Sequence, residues 1–191
     1  FADEAKKNED FWSTRPLCAA VGVTGDYMER AKELVNNGCN VLLIDVAHGH
    51  HKLVKEAIRR IKNETNVEVI AGSIATKRAA KHLIDWGADA LRVGIGNGSL
   101  CETRIRTGVG VPQVSALIDV CSVANDNSVP VISDGGVRYV GDVAKSLGLG
   151  ADSVMVGSLF SGTKETPGEI IKQGEWPNER LYKKYRGSAS L

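Results

Sequence analysis

The sequence lacks several features that would assign it to a class of protein directly. Lysine and arginine total 24 against 23 for aspartate and glutamate, a formal net charge of +1, so no bulk field draws the chain to nucleic acid or membranes. It has no apolar run near the roughly 20 residues needed to span a bilayer, and residues 1–10 lack the apolar centre of a signal peptide. We therefore expect neither a nucleic-acid partner nor a membrane partner.

The histidines and cysteines form no recognisable metal site. The run at 48–51 contains three histidines but has no Cys, Asp or Glu at ligand spacing close by, so a polar helix start is the favoured interpretation. No Cys-x-x-Cys pair is present, and the scatter of the thiols suits a reducing cytoplasm better than a disulfide framework. The four cysteines are Cys18, Cys39, Cys101 and Cys121.

Six short apolar runs, each followed by a segment of helical character, repeat along residues 17–161. The runs begin at Leu17, Val41, Val67, Ala88, Val129 and Ser153. They are mostly continuous rather than alternating, which is typical of a buried parallel sheet. Alternating units of this kind predict an α/β fold, either a doubly wound sheet or a (β/α)8 barrel.

The positions of the chemically useful residues favour the barrel. Asp45, Ser73, Arg92, Asp134 and the pair 157–158 each lie at or just after the end of a different predicted strand. Barrels gather function on every strand's C-terminal end, whereas doubly wound sheets concentrate it at one switch point. No Gly-x-Gly-x-x-Gly opens a helix after the first strand. We predict a (β/α)8 TIM barrel of which this chain carries the last six units.

The same pattern divides the chain into three parts. Residues 1–16 are polar and are predicted to form an N-terminal surface segment. Residues 17–161 are the partial catalytic barrel. Residues 162–191 are charged and glycine-rich with no clear strand, and are interpreted as a post-barrel loop leading to a mobile flap.

The central candidate for chemistry is the loop at 92–104. Gly94, Gly96 and Gly98 alternate in it and permit backbone angles that other residues avoid. The loop then presents Ser99, Cys101 and Thr103, and a cysteine on a glycine-rich loop after a strand is a candidate nucleophile. The alternative is a phosphate-cradling or merely tight loop whose thiol is incidental.

Two later loops indicate phosphate and ribose binding. The sequence 134–136, Asp-Gly-Gly, can hold a ribose diol through its carboxylate and a phosphate through glycine amides, or can simply be a tight turn before a helix. The pair 157–158 ends the next strand, and in barrels the last two such loops often share one phosphate. Asp45 could bind a second ribose or cap a helix.

Taken together, the motifs resemble the IMP dehydrogenase / GMP reductase family. Six segments match that family in order and spacing: 99–104, 108–113, 133–136, 154–158, 165–169 and 184–187. The resemblance implies a (β/α)8 barrel, usually a homotetramer, that acts on a purine nucleotide. It makes Cys101 the nucleophile that attacks C2 of the purine and places Thr103 beside the reacting carbon.

The resemblance also implies three sets of binding residues. The nucleotide would be held by Ser99, Asp134, Gly135, Gly136, Gly157, Ser158, Tyr185 and Gly187. The dinucleotide would face Asp45, Arg92, Gly94 and Gly96. A monovalent cation such as K⁺ would be bound by the backbone carbonyls of Gly96, Gly98 and Cys101.

The direction of the reaction is open within the family. Segments 106–108 and 141–145, together with Ser133 before Asp134, resemble reductases. Segments 47–50, 157–159, 166–169 and 183–186 resemble dehydrogenases. Because the second group includes the segments nearest the nucleotide, we predict NAD-dependent oxidation of IMP to XMP. The alternatives are an NADPH-dependent GMP reductase and a non-catalytic nucleotide-binding barrel, and the Cys101 and Thr103 pair argues against the last.

Overall fold

The computed structural model describes residues 16–175 and 177–187, and its centre is a six-stranded parallel sheet. All neighbouring pairs in this sheet are parallel. In chain order, which is also the order across the sheet, the strands are β1 (Cys18–Val21), β2 (Val41–Ile44), β3 (Glu68–Ile74), β4 (Ala90–Val93), β5 (Val131–Asp134) and β6 (Ser153–Met155).

Helices connect each strand to the next. They are α1 (Tyr27–Asn36), α2 (Lys52–Glu64), α3 (Lys77–Trp86), the short α4 (Thr103–Thr107), α5 (Gln113–Asp126) and α6 (Val140–Gly148). Because the strand order never reverses and parallel crossovers are right-handed, all of these helices lie on one face of the sheet. The sheet therefore curls as part of a (β/α)8 barrel, which confirms the fold predicted from the sequence.

The core lies between the helices and the sheet. Helix α2 shows the pattern: Val54, Ala57, Ile58 and Ile61 recur at helical spacing and are at most 1% exposed. They belong to the same buried cluster as the strand residues Leu42 and Val69. Burying a valine, leucine or isoleucine contributes about 1.5–3 kcal/mol, so this layer supplies most of the stability on which the loops depend.

Several element boundaries differ from the sequence-based expectation. The fifth strand begins at Val131 rather than Val129, since Pro130 has no N–H to donate to the ladder. The third apolar run of the sequence is 67–70, but the third strand continues through Ile74, because it pairs with β2 on one side and β4 on the other.

Two elements were missed. The five-residue helix α4 follows Cys101 and Glu102 directly. An antiparallel hairpin, β7 (Ile171–Gln173) and β8 (Arg180–Tyr182), lies in the tail, the segment 162–191 that follows the barrel, where no strand is predicted. Its six strand residues are all exposed, so it has no buried face to produce an alternating pattern. Apart from Pro16, the predicted N-terminal surface segment 1–16 lies outside the described residues.

The histidine run begins α2. The Nδ1 atom of His51, the N-cap, accepts a hydrogen bond from the Leu53 amide at 3.2 Å, which confirms the helix-start interpretation. The neighbouring His50 lies 2.8 Å, Nε2 to Nδ1, from His82 on α3, and its ring centroid is 5.9 Å from that of Trp86. Within 16–175 and 177–187, no three His, Cys, Asp or Glu side chains are grouped to hold a metal ion.

This histidine contact predicts a pH-dependent stability. Burial lowers the pKa of His50, and the nearby His82, Arg78 and His48 lower it further. Since the His50 imidazole then binds a proton more tightly in the unfolded state than in the folded state, folding is penalised when His50 becomes protonated. The free energy of unfolding therefore has its full value above about pH 6.5, the ordinary pKa of histidine, and decreases as the pH falls below it. We expect the unfolding midpoint of His50→Asn to change less than that of the wild type between about pH 7.5 and pH 5.5.

A matched variant is His51→Asn, because asparagine preserves the helix cap. It should retain the pH dependence of the wild type. An unchanged dependence in His50→Asn would contradict the assignment to His50.

In the part of the chain that the structure describes, no helix is long and apolar enough to cross a membrane.

Candidate active site

A cleft of about 860 Å³ opens at the C-terminal ends of β4, β5 and β6. Three loops and the end of the tail form its walls: residues 98–103, 134–138 and 155–158, together with Tyr185 and Gly187. All ten residues predicted for catalysis and nucleotide binding line it: Ser99, Cys101, Thr103, Asp134, Gly135, Gly136, Gly157, Ser158, Tyr185 and Gly187. The structure thus brings together residues that are up to 88 positions apart in the sequence (187 − 99).

The thiol of Cys101 faces this cleft and is exposed. Its Sγ lies 3.2 Å from the Thr103 Oγ1, within hydrogen-bond range. A turn holds the backbone in place, since the Cys101 amide donates to the Gly98 carbonyl at 3.1 Å. An accessible thiol beside a hydroxyl, on a loop held by its own backbone, is suited to nucleophilic attack on a bound ligand.

At two positions of this loop, glycine is required because neighbouring atoms leave no room for a side chain, and not because a ligand in the cleft needs the space. Gly94, at φ +150°, lies so near the Asp134 carbonyl oxygen that an added Cβ would overlap it. Gly96, at φ +74°, would place a Cβ 2.8 Å from the Arg104 Cγ. Neither glycine lines the cleft, so both bring the cysteine loop close to its neighbours.

Arg92 lies buried between two carboxylates. Its Nη2 is 2.6 Å from the Asp45 Oδ1 and its Nη1 is 2.8 Å from the Asp134 Oδ2. The Arg92 side chain is 8% exposed, against 51% for Asp45 and 24% for Asp134. Within the described residues the buried Nε of Arg92 has no acceptor. Arg92 and Asp45 lie outside the cleft wall and reach it through Asp134.

The carboxylate of Asp134 is subject to opposing influences. Burial raises its pKa, and the charge of Asp45 adds to that rise. The charge of Arg92 and its hydrogen bond act in the opposite direction and favour the ionised form. The net direction is upward, so Asp134 depends on Arg92 to remain an acceptor for a ligand's hydroxyl groups.

The loops after β5 and β6 are joined next to Asp134. Gly135 and Gly136 adopt φ values of +82° and +79°, a region that side chains disfavour. The Gly135 amide donates to the Met155 carbonyl at 3.4 Å. The loop after β5 is thus bonded to the end of β6, and the two loops predicted to bind phosphate line the same cleft.

The tail returns to this same end of the cleft. An added Cβ at Gly157 would lie 2.6 Å from the Tyr185 hydroxyl. Two residues earlier in the chain, the Lys183 Nζ donates to the carbonyl oxygens of Thr163, at 2.9 Å, and Thr166. The tail is thus bound to the segment after β6, which explains how Tyr185 reaches a site built from strand ends.

Sequence reasoning missed four residues of this region. Arg106 and Arg138 line the cleft. Arg138 follows the loop at 134–136, whereas Arg106 is paired with Glu102 at 2.8 Å. Asn97 and Gln113 form a hydrogen-bonded pair behind the cleft at 2.7 Å. The sequence marks Gln113 only as the last residue of the segment 108–113 that resembles the family. A polar residue between glycines, as Asn97 is, was the one available signal.

Fold and site together define a class of protein: part of a (β/α)8 barrel in which a cysteine-bearing loop and two glycine-containing loops surround one cleft. The family model described as "IMP dehydrogenase / GMP reductase domain" matches residues 4–191. The chain belongs to the IMP dehydrogenase / GMP reductase family.

Similar proteins include both branches of that family. The chain is 49% identical over 179 residues to an inosine-5'-monophosphate dehydrogenase of Nitrosopumilus maritimus, covering 93% of this chain and 37% of the relative. It is also 49% identical to one from Helicobacter pylori over 96% of this chain and 37% of that protein. The chain thus spans just over a third of the length of these relatives.

Solved structures of GMP reductase from Trypanosoma brucei are also similar. The complex of a variant with guanosine 5'-monophosphate superimposes with a TM-score of 0.80 at 46% identity, covering 82% of this chain and 33% of that one. The complex with guanosine 5'-triphosphate gives 0.76 at 49% identity, covering 78% and 36%.

Proposed function

We propose that the protein is an NAD-dependent IMP dehydrogenase that oxidises IMP to XMP through a covalent intermediate on Cys101. The observation that supports this most strongly is the single cleft in which an exposed thiol faces the loops at 134–136 and 157–158. A protein that only bound nucleotides would have no use for the Cys101–Thr103 pair.

In this proposal each loop that lines the cleft binds or reacts with a different part of the nucleotide. The loops at 135–136 and 157–158 hold the phosphate, while Asp134 accepts hydrogen bonds from the ribose hydroxyls. The thiolate of Cys101 adds to C2 of the purine, and C2 loses a hydride. Water then displaces the thiol from the resulting thioimidate and releases XMP. Thr103, 3.2 Å from the sulfur, steadies the thiol beside C2.

The residues next to Asp134 fit a dinucleotide. The Asp45 carboxylate is half-exposed and gives only its Oδ1 to Arg92, so its other oxygen can accept a ribose hydroxyl. Gly94 and Gly96 let the cysteine loop pack closely against Asp134 and Arg104, and Arg92 orients the two carboxylates. NAD would supply the hydride acceptor.

A monovalent cation fits the turn of the cysteine loop. Carbonyl oxygens are the ligands that K⁺ takes in proteins, and Gly96, Gly98 and Cys101 provide three on one short segment. The Gly98 carbonyl already accepts the Cys101 amide and retains a second lone pair. We propose that K⁺ bound here steadies the loop and raises the rate.

The remaining proposals concern the whole protein. We propose a cytoplasmic homotetramer in which residues 17–161 form most of the catalytic barrel. Residues 162–191 follow the barrel, and their described part contains the β7–β8 hairpin and leads towards a mobile flap.

The second candidate is an NADPH-dependent GMP reductase. Its support is the similarity to solved GMP reductases, one of them in complex with guanosine 5'-monophosphate, and the segment 106–108. The same thiol would attack C2 of GMP and expel ammonia. C2 would then accept a hydride from NADPH, and the C2–S bond would break to release IMP and the free thiol.

Two coupled assays on the intact protein separate these candidates. We expect NADH absorbance to rise with IMP and NAD, faster with K⁺ than with Li⁺, and no oxidation of NADPH with GMP. Turnover of GMP with NADPH and release of ammonia would replace the first candidate with the second. Nucleotide binding without turnover in either assay would indicate a non-catalytic barrel.

A further inference from the structure

One side chain that the proposed chemistry does not use joins the cysteine loop to the loop after β5. The Asn97 Nδ2 donates to the Asp134 carbonyl oxygen at 2.8 Å and to the Gln113 Oε1 at 2.7 Å. These two bonds use both hydrogens of the amide nitrogen. Asn97 therefore connects the cysteine loop both to the end of β5 and to the start of α5.

Gln113 fixes the direction of these bonds. Its Nε2 donates to the Val93 carbonyl at 2.9 Å and to the Ser133 hydroxyl at 3.0 Å. Because both of its donors are used, its oxygen has to face Asn97. The fully buried Ser133 hydroxyl then donates to the Ser146 hydroxyl of α6 at 3.2 Å. The hydrogen-bond network thus extends from the end of β4 to α6, and the donor and the acceptor of each bond are determined.

The surrounding glycines make room for Asn97. An added Cβ would lie 3.0 Å from the Asn97 Oδ1 at Gly94, 3.2 Å from it at Gly135, and 3.4 Å from the Nδ2 at Gly136. The Asn97 side chain therefore fills the space between the two loops. It lies behind the cleft, whereas Gly135 and Gly136 line it together with Cys101.

We propose that Asn97 is a positioning residue that holds the cysteine loop in register with the nucleotide loop at 134–136. Through Gln113 and the Asp134 carbonyl, it fixes where Cys101 lies relative to a nucleotide held by those residues. A displacement of about 1 Å at a reacting centre can reduce the rate about 10²-fold. The catalytic consequence rests on the proposed function, but the coupling between the two loops does not.

The test uses the intact protein with Asn97→Asp, which keeps the shape of the side chain and removes both donated bonds. We expect kcat to fall about 10- to 100-fold while KM for the nucleotide changes less than about threefold. In the ligand-free protein, hydrogen exchange should become about tenfold faster or more at 98–103 and at 135–137 together. Asn63→Asp, at an exposed position on α2, should change neither.

A second variant keeps the test decisive if Asn97→Asp folds poorly. Gln113→Glu retains the acceptor for Asn97 but loses both of its own donors, so it should show the same pattern with smaller changes. Faster exchange at 98–103 alone, or an unchanged kcat in Asn97→Asp, would overturn the proposal. If the wild type turned over neither nucleotide, the proposed function would fail. The hydrogen exchange of Asn97→Asp at 135–137 would still show whether Asn97 couples the two loops.

Discussion

Replacing Cys101 by alanine should reduce turnover about 10⁴-fold or more, because the proposed covalent step needs a thiol and no other described cysteine lines this cleft. Nucleotide affinity should change little, since the loops at 134–136 and 157–158 are intact. The measurements are steady-state turnover and nucleotide binding by calorimetry, both on the intact protein. A loss of both would mean that the thiol organises the cleft rather than performing chemistry in it.

A matched control for this variant is Cys18→Ala. Cys18 is also an exposed free thiol, but it lies at the start of β1 and does not line the cleft. It should retain wild-type turnover. Substantial activity in Cys101→Ala, with Cys18→Ala unchanged, would remove Cys101 from the mechanism.

Replacing Arg92 by methionine should destabilise the protein by about 3 kcal/mol, because it leaves the mostly buried carboxylate of Asp134 without its counter-charge. Asp134, already raised in pKa by burial and by Asp45, would lose the one charge that opposes the rise. Nucleotide binding near neutral pH should therefore weaken as well. Denaturant unfolding and nucleotide titration across pH measure the two effects.

The comparison for Arg92 is Arg60→Met, which breaks the solvent-exposed pair with Glu64 on α2. Exposed pairs contribute little to stability, so this variant should resemble the wild type. An equal loss of stability in the two variants would show that the burial of Arg92 between Asp45 and Asp134 has no special importance.

The sequence was sufficient to predict the sheet and most of the site. Continuous apolar runs separated by helical segments predict buried parallel strands, and the polar residues after the strands predict which end bears the cleft. Eight of the ten cleft residues lie in loops with a recognisable glycine, cysteine or aspartate pattern, which a single sequence preserves. Tyr185 and Gly187 follow only from the resemblance to the family, because the segment around them has no such pattern.

The parts that were missed depend on contacts between distant residues. Arg92 was assigned to the dinucleotide, but only the fold shows its guanidinium between Asp45 and Asp134. Asn97 meets Gln113 across 16 positions, and no periodicity predicts that pairing. The exposed β7–β8 hairpin was missed because it is held by backbone pairing and leaves no buried face in the sequence.

The most direct test of the central claim is peptide mass spectrometry. The full protein is acid-quenched during turnover and then digested. With IMP and NAD both present, the peptide containing Cys101 should gain the mass of IMP less two hydrogens, one lost as hydride and one as a proton. Without NAD no such adduct should form. An adduct formed from GMP alone, or no adduct on Cys101 while XMP accumulates, would contradict the account.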